Sequence, residues 1–425
     1  MIISQRILVM VILCFSGGII FMLPFLREVY YQPMQAAFGH DNTEMGILMS
    51  VFGTFSLLAY FPGGWLADRF SPRRLITIGL TVTGLAGFYF STFPAYEVSI
   101  VIHAFWGASI SLVFWGAMIK ATRNWGSTTD QGKSFGILES GRGVAEIVSS
   151  TAFLAVFTWL GSSDYALSTV ILLFSGTNIG LAVAAWLVMD DGPRKNEAEP
   201  AADSEQQDQV RLSDITRVLK MPMVWLISLV VMTAYSAYWG TFYFTPYASD
   251  VFLMSAAMGG AVGVGKMWLK PIAALVVGFV GDRLGIARTI LFLFIVMTLS
   301  FFGFSVLPGG VEMIVPMLLN VAIASIAIFG IRGVYFALLE EGGIPIAFTG
   351  IATGIVSVVG FTPDIFMPLL GGVLLDTYPG AEGYSYLYLA ISGFGLIGSV
   401  AIWSIMIRTP EAKKDPQRDG DLEIA

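Results

Sequence analysis

The sequence contains few charged residues, two histidines and one cysteine. Charged residues make up 12% of its 425 residues, against roughly 25% in soluble domains. The single cysteine, Cys14, excludes an intrachain disulfide and any cysteine-rich metal site. The sequence also lacks a nucleophile motif and a glycine loop of the kind that cradles phosphate. We therefore expect neither an enzyme nor a protein that carries a metal or another cofactor.

Apolar residues, in contrast, are abundant. They make up 56% of the chain, and the mean hydropathy is +0.75. A membrane-spanning helix needs about 20 mostly apolar residues, and the chain has twelve stretches of that kind. They lie near residues 7–36, 43–63, 74–94, 96–122, 134–159, 166–189, 222–249, 254–280, 287–307, 311–339, 346–374 and 383–407. The sequence predicts an all-α membrane protein with twelve transmembrane helices, embedded in a lipid bilayer.

The twelve stretches divide evenly about a polar, acidic segment. We expect an N-terminal six-helix bundle at 1–189, a cytoplasmic linker at 190–220, a C-terminal six-helix bundle at 221–408 and a cytoplasmic tail at 409–425. Ser213-Asp214 is suited to cap a short surface helix in the linker. The linker and tail hold most of the excess acid behind the net charge of −7. No nucleic-acid partner is expected, and we expect a monomer.

The positions of lysine and arginine predict the orientation of the chain. Basic residues concentrate in the cytoplasmic loops of membrane proteins. Here the proposed cytoplasmic segments hold all of the 23 lysines and arginines except five, which lie inside predicted helices: Arg27, Arg142, Lys266, Lys270 and Arg332. We therefore expect a multi-pass inner-membrane protein with both termini in the cytoplasm. The first apolar stretch has no cleavage pattern and is expected to remain as a helix.

A charged loop occurs twice, at 64–74 and at 278–288. Each copy places a glycine four residues before an Asp-Arg pair, which suggests a duplicated chain. A single copy would also suit an ordinary positive loop. The repeated pattern resembles the G-x-x-x-D-R-x-G-R-R loop of major facilitator superfamily transporters, with Ser71 in place of the second glycine in the first copy. That resemblance implies two pseudo-symmetric bundles and a cytoplasmic gate formed by Asp68, Arg69, Arg73, Asp282 and Arg283.

The five cations inside predicted helices are candidates for function. A charged side chain at the bilayer centre costs about 2.5–3.5 kcal/mol on insertion scales, so it usually faces a protein interior or a water-filled cavity. The carboxylates at similar depth are Glu28, Glu139, Glu146 and Asp364. Five cations against four anions leave a slightly positive interior in an acidic protein. A positive cavity of this kind indicates an anionic substrate.

Helical spacing places several of these charges on common faces. Glu139, Arg142 and Glu146 stand at i, i+3 and i+7 of the fifth predicted helix, and Lys266 and Lys270 at i and i+4 of the eighth. Both faces are expected to line a central cleft. The alternatives are a clamp in which Arg142 only pairs with carboxylates of its own helix, and snorkelling of the lysines to a helix end.

The remaining charged candidates allow two interpretations each. Arg27 and Glu28 either bind substrate or form an outer gate, and Arg332 either contacts substrate or pairs across the two halves. Asp364 is a candidate to carry a proton or to pair with a lysine of the eighth helix. His103 is a candidate proton relay, although a lone histidine in a helix is more often a packing residue. Glu28, Glu146, Asp364 and His103 form the set of candidates for proton coupling.

Aromatic residues cluster in the seventh predicted helix between Tyr235 and Tyr247. Ordinary packing or an interfacial aromatic belt accounts for some of them. Their hydroxyl groups would also suit a sugar-like ligand beside the cleft, with Tyr238 and Tyr243 as the candidate contacts.

A narrower resemblance concerns residues 125–136 and 139–144. They are similar to the organophosphate/inorganic-phosphate antiporter branch, in which a tryptophan-to-glycine loop precedes a helix with a substrate-facing histidine. Arg142 stands where that histidine would be, and Arg27 lies near the phosphate-binding arginine of the first helix. The arginine of the seventh helix in that branch has no counterpart here. These departures favour a related organic anion, such as a sugar acid, a sugar phosphate or a sulfonate.

The sequence thus predicts a secondary active transporter that moves a small organic anion by alternating access, with a proton symported or a counter-anion exchanged. A proton-driven exporter of amphipathic compounds and a transporter-like sensor are the alternatives. The predicted substrate-binding residues are Arg27, Glu139, Arg142, Tyr238, Tyr243, Lys266, Lys270 and Arg332.

Overall fold

The computed structural model describes residues 3–125, 131–190, 212–345 and 348–409. The regular structure within these ranges is helical. We refer to residues 3–190 as the N-terminal segment and to residues 212–409 as the C-terminal segment. The prediction of an all-α chain is confirmed for the described residues.

The N-terminal segment consists of eight α-helices and one π-helical turn. In chain order they are α1 (Ile3–Ile19), α2 (Arg27–Phe38), α3 (Asn42–Arg69), α4 (Pro72–Phe90), α5 (Tyr96–Ser109), the π-helix Ile110–Trp115, α6 (Gly116–Trp125), α7 (Gln131–Trp159) and α8 (Asp164–Val188). α5, the π-helix and α6 follow one another without a gap and form one long helix.

The C-terminal segment begins with a short helix in the predicted linker, α9 (Leu212–Leu219). The other helices are α10 (Pro222–Gly240), a 3-10 turn (Thr241–Tyr243), α11 (Phe244–Asp250), α12 (Ala256–Leu284), α13 (Ile286–Val306), a 3-10 turn (Val311–Met313), α14 (Ile314–Val334), a 3-10 turn (Tyr335–Ala337), α15 (Leu338–Glu341), α16 (Thr349–Gly360), α17 (Pro363–Thr377) and α18 (Ala381–Arg408). The short helix expected in the linker is therefore present.

Nine helical stretches of the described chain are long and apolar enough to cross a bilayer. α1 falls short of the required length because the chain leaves the helix between Ile19 and Arg27. α4 and α7 have the length, but α4 carries Arg73 and Arg74 in its first turn and α7 carries the charged triad Glu139, Arg142 and Glu146. The membrane character of the chain is confirmed, and the count of twelve spans stays a prediction.

The two copies of the repeated loop form different local structures. Ser71 is the N-cap of α4, where its hydroxyl accepts a hydrogen bond from the Arg74 amide, and Pro72 occupies the first helical position. In the second copy Gly285 adopts φ 91°, a conformation that favours glycine. Ser71 therefore replaces the family's glycine with a helix cap, a residue type that favours helix initiation.

Helices of the two segments meet along several contacts. α3 packs against α17, α2 against α11 and α12, and α7 against α12. The α3–α17 approach is close, because a Cβ atom at Gly53 would lie only 2.6 Å from the Asp364 carbonyl oxygen. We call the end of the molecule that carries Asn42 and Asp250 the sealed end, since hydrogen bonds between the segments concentrate there.

Five helices are interrupted part-way along their length. The interruptions lie at residues 20–26, Ile110–Trp115, Thr241–Tyr243, Tyr335–Ala337 and 361–362. Interrupted helices free backbone polar groups, which other groups must satisfy, and they often mark functional sites. Each interruption is close to an ionisable side chain of the candidate site. The side chain either lies within four residues along the chain or contacts the interruption directly.

Candidate functional site

Lys266 forms a dry ion pair between the two segments. Its Nζ atom lies 2.8 Å from the Glu28 Oε1 atom, and the two side chains are 0% and 7% exposed. The ammonium also donates to the Thr241 carbonyl at 2.7 Å and to the Thr241 hydroxyl at 2.9 Å. Thr241 begins a 3-10 turn, so the interrupted helix supplies acceptors to the lysine. Three acceptors satisfy the ammonium completely.

Lys270, one turn further along α12, forms a second ion pair between the segments. Its Nζ atom lies 3.1 Å from the Glu146 Oε2 atom. The Lys270 and Glu146 side chains are 39% and 18% exposed, so this pair is less buried than the Lys266–Glu28 pair. Both lysines are therefore paired across the segments, and the snorkelling alternative is wrong for this structure. Asp364 is not their partner.

Arg142 combines an ion pair with an aromatic contact. Its Nη1 atom donates to the Glu139 Oε1 atom at 2.5 Å, and its guanidinium lies 5.0 Å from the centre of the Trp115 ring. The Arg142 side chain is 17% exposed and that of Glu139 is 61% exposed. The own-helix clamp is thus present for Glu139 but not for Glu146, which pairs with Lys270. The Arg142 Nε–H has no hydrogen-bond partner among the described residues.

Arg27 is buried without an ion pair among the described residues. Its Nη1 atom donates to the Met45 carbonyl at 3.0 Å, and its guanidinium lies about 5 Å from the centres of the Tyr31 and Tyr243 rings, at 4.9 and 5.1 Å. The Nε and Nη2 groups find no acceptor in the described chain. The first residue of α2 therefore presents two unsatisfied N–H groups at the end of a helix interruption.

Like Arg27, Arg332 in the C-terminal segment contacts two tyrosine rings and keeps N–H groups without acceptors among the described residues. Its guanidinium stacks 3.6 Å from the centre of the Tyr238 ring and 5.4 Å from that of Tyr235. Its Nε and Nη1 groups lack acceptors in the described part of the chain. The Asp364 carboxylate instead accepts a hydrogen bond from Trp239 Nε1 at 2.8 Å. Arg332 precedes one interruption and Asp364 follows another.

These groups form one electrostatically connected set. Glu146 interacts electrostatically with Glu28 and with Tyr238, and the Tyr238 ring contacts the Arg332 guanidinium. We call Arg142, Glu146, Tyr238, Lys270 and Arg332 the central cluster. Since its members come from α7, α10, α12 and α14, both segments contribute to it. Its basic side chains therefore come from both segments, Arg142 from the N-terminal one and Lys270 and Arg332 from the C-terminal one.

Two aromatic residues belong near this cluster although the sequence did not single them out. Tyr60 on α3 is 44% exposed and lies in electrostatic range of both Arg142 and Asp364. Trp115 supplies the ring under Arg142. Tyr60 stands four residues before the first charged loop and Trp115 in a long apolar helix, so no signal in the sequence separated them from packing residues.

Two further predicted candidates, Tyr243 and His103, are buried among other residues of their surroundings. The Tyr243 side chain is buried and its hydroxyl donates to the Pro368 carbonyl at 2.9 Å. His103 is buried between the rings of Phe90 and Trp106, with its Nδ1 atom 2.8 Å from the Ser99 carbonyl oxygen. The structure thus fits the packing interpretation of His103 and shows no relay partner for it among the described residues.

The predicted gate residues of the first loop bind within their own segment. The Lys120 Nζ atom donates to the Ala67 carbonyl at 2.6 Å, Arg69 stacks on Trp65 at 4.0 Å, and Arg73 stacks on Trp186 at 4.2 Å. The side chains of Asp68 and Arg283 are exposed. The side chain of Asp282, the loop at 126–130 and the linker residues 191–211 lie outside the described structure. The gate stays a prediction.

The interrupted helices and the paired charges between two segments define a membrane transporter. Residues 7–361 match the Major Facilitator Superfamily, and the chain belongs to that family. The resemblance seen in the charged loops is confirmed, and the chain is a transporter of this superfamily embedded in the lipid bilayer.

Two relatives from Escherichia coli (strain K12) are similar along the whole chain. They are the inner membrane protein YihN, 29% identical with 95% of this chain and 96% of YihN covered, and the inner membrane protein YqcE, 29% identical with 95% of each chain covered. The probable galactarate/D-glucarate transporter GudP of Bacillus subtilis (strain 168) is 26% identical over 43% of each chain.

Solved structures share the fold. A bacterial homologue of the human lysosomal transporter Spinster, inward-facing and unoccupied, gives a TM-score of 0.78 at 13% identity, with 96% of this chain and 98% of that chain covered. The nucleoside transporter NupG gives a TM-score of 0.72 at 14% identity, covering 95% of this chain and 98% of NupG. At these identities the likeness shows the fold alone.

Proposed function

We propose that this protein is a secondary active transporter that carries a small organic anion across the inner membrane by alternating access. In this proposal residues 1–189 and 221–408 form two pseudo-symmetric six-helix bundles joined by a cytoplasmic linker, with both termini in the cytoplasm. The central cluster binds the substrate between them. The sealed end then faces outward, because the positively charged loops belong on the cytoplasmic side.

The observation that carries the proposal is the convergence of basic groups from both segments on the central cluster. Lys270 pairs with Glu146, Arg142 lies one turn before Glu146 on α7, and Arg332 reaches the cluster through Tyr238. Among the described residues, Arg332 has two N–H groups without acceptors and Arg142 has one. Buried polar groups are normally hydrogen-bonded, so these three N–H groups suit an anionic ligand that both segments hold.

The residues around the basic side chains indicate which kind of anion binds. Tyr60, Tyr238 and Tyr235 place aromatic faces and hydroxyl groups beside the basic side chains. Such residues suit a ligand with hydroxyl groups and at least one carboxylate. The similarity to GudP, whose name gives galactarate and D-glucarate as its substrates, supports a sugar acid.

The two ion pairs between the segments supply a physical basis for coupling. When the segments separate at the sealed end, Glu28 and Lys266 must part, and a buried charge that loses its partner is strongly unfavourable. Protonation of Glu28 would remove one charge of the pair during that step. If the transporter exchanges anions instead, a second anion would neutralise Lys270 and Arg142, and no proton would be needed.

Uptake into proteoliposomes tests the proposal. Radiolabelled D-glucarate is offered with a pH gradient, without one, and with unlabelled D-glucarate inside the vesicles. Uptake driven by the pH gradient supports symport, and uptake driven only by internal anion supports exchange. An uncharged sugar alcohol of the same length is the matched control substrate. If the purified protein moves the sugar alcohol as well as the acid, or moves neither, the proposal of an anion transporter is wrong.

A further inference from the structure

A carboxylate at the sealed end binds the N-terminus of a helix from the other segment. Asp376, next to the end of α17, accepts hydrogen bonds through both oxygens. Its Oδ1 atom lies 2.8 Å from Asn42 Nδ2 and 3.2 Å from the Asn42 amide, and its Oδ2 atom lies 2.6 Å from the Thr43 amide and 2.5 Å from Thr43 Oγ1. First-turn amides lack intrahelical acceptors and favour negative charge.

α3 does not need Asp376 in order to begin. Its own N-cap, Asp41, accepts from the Glu44 amide at 2.7 Å, and the Glu44 carboxylate accepts from the Asp41 amide at 3.1 Å. This capping box already holds the helix start. Asp376 satisfies the two remaining first-turn amides, of Asn42 and Thr43. Its contribution is therefore to the contact between segments rather than to the formation of α3.

A second carboxylate makes a similar contact nearby. Asp250, the last residue of α11, accepts from Gln32 Nε2 of the N-terminal segment at 3.1 Å and from the Tyr384 hydroxyl at 2.5 Å. Gln32 also donates to the Pro246 carbonyl at 3.2 Å. Asp250 and Asp376 line the same recess of about 270 Å³, together with Asn42 and Tyr384.

The contact between α3 and α17 continues inward from Asp376 without side chains that would separate the backbones. A Cβ atom at Gly372 would collide with the Asn42 carbonyl oxygen, and one at Gly46 with that of Pro368. Glycines thus bring the two helices close enough for Asp376 to reach the α3 amides. The close approach and the hydrogen bonds depend on each other.

We infer that Asp376 is the residue that holds the outer gate closed, with Asp250 as a second, weaker latch. This inference rests on the proposed alternating access, since the gate opens only if the segments separate at the sealed end. Opening breaks four hydrogen bonds to one carboxylate, and water in the adjoining recess replaces them. Asp376 is a positioning residue that sets the balance between outward-open and outward-closed states, and it has no contact with the central cluster.

Distance measurements between spin labels test the gate. Labels on cysteines introduced at Glu97 and Glu312, both exposed at the sealed end, report the separation of the segments after the single native cysteine is removed by Cys14→Ser. Asp376→Asn places an amide donor beside the Asn42 and Thr43 donors. We expect this variant to raise the ratio of long to short distances at least tenfold. Thr43→Val, which removes one donor, should raise it less.

Asp164→Asn is the matched control, because Asp164 is an exposed first-turn acid of α8 that bridges no segments. It should leave the distances unchanged. Monodisperse protein that keeps the short distance in both Asp376→Asn and Thr43→Val would overturn the inference, as would an equal change in the control. The distances require no transport, so a failure of anion uptake by the parent protein would refute the proposed function and leave this test intact.

Discussion

The Nζ atom of Lys270 lies 3.1 Å from the Oε2 atom of Glu146, and this contact joins α12 to α7 across the two segments. Lys266, one turn away, forms a similar pair with Glu28 but is shielded from solvent. The two pairs differ in exposure, so they are expected to differ in role. The less buried pair suits competition with a substrate anion, and the fully buried pair suits the control of segment separation.

Lys270 should therefore be required for anion uptake. We expect Lys270→Met to lower kcat/KM for D-glucarate by about 10- to 100-fold, since a hydrogen bond to a charged group contributes about 1.5–3 kcal/mol. Lys270→Arg should keep most of the uptake. Swapping the charges in Glu146→Lys/Lys270→Glu keeps the ion pair and should restore protein stability more than uptake. Equal uptake by Lys270→Met and the parent protein would remove Lys270 from the site.

Arg142 should contribute charge to the same ligand, and Glu139 should compete with that ligand. Arg142→Ala is expected to lower kcat/KM by about 10- to 100-fold for the same reason, whereas Glu139→Gln should retain uptake with a lower KM. Arg217→Ala, an exposed arginine on the surface helix α9, is the control and should leave uptake unchanged. Retained uptake by Arg142→Ala would contradict the assignment.

The Glu28–Lys266 pair should dominate stability. Lys266→Met leaves the Glu28 carboxylate buried without its partner, which costs about 3–5 kcal/mol in other buried pairs. Glu28→Gln/Lys266→Met removes both charges and should recover most of that loss. Lys270→Met breaks the less buried pair and should cost less than Lys266→Met. Unfolding of the detergent-solubilised protein measures each value, and equal losses for Lys266→Met and Lys270→Met would contradict this account.

Arg332 should recognise a second negative group on the substrate. Its guanidinium has two N–H groups without acceptors among the described residues, and it lies in the C-terminal segment, whereas Arg142 lies in the N-terminal one. A ligand with a carboxylate at each end can satisfy both arginines. We expect Arg332→Gln to weaken uptake of D-glucarate, which has two carboxylates, by about tenfold, the weight of one charge-assisted hydrogen bond. Uptake of D-gluconate, which has one, should change little. An equal loss for both substrates would assign Arg332 a structural role.

Much of the fold could be predicted because membrane helices require long apolar stretches and the loops between them are charged. The boundaries of α5–α6, α8 and α10–α18 follow those stretches closely, whereas α3 extends six residues past its predicted end. The helix interruptions could not be predicted, because a π-helical or 3-10 turn such as Thr241–Tyr243 has nearly the same composition as the helix around it. The count of spans stays open because α1 is short and both α4 and α7 carry charged residues.

For the site, the sequence identified the ionisable residues but not their partners. Helical spacing correctly placed Lys266 and Lys270 on one face of α12, yet their partners lie more than 100 residues away on α2 and α7. Such pairing depends on how helices pack, which a single sequence does not report. The aromatic cluster was ambiguous for the same reason, and only the structure shows that Tyr238 contacts Arg332 whereas Tyr243 contacts Arg27 and donates to the Pro368 carbonyl.

Direct binding of sugar acids to the purified protein tests the central claim, that basic side chains of both segments hold an organic anion. Thermal unfolding is followed with D-glucarate, with D-gluconate and with an uncharged sugar alcohol of the same length. A ligand at about 100 times its Kd adds about 2.7 kcal/mol to stability. We predict the largest rise in Tm with D-glucarate, a smaller rise with D-gluconate, and neither rise in Arg142→Ala/Lys270→Met. Equal stabilisation by the sugar alcohol, or a rise that the double variant retains, would contradict the account.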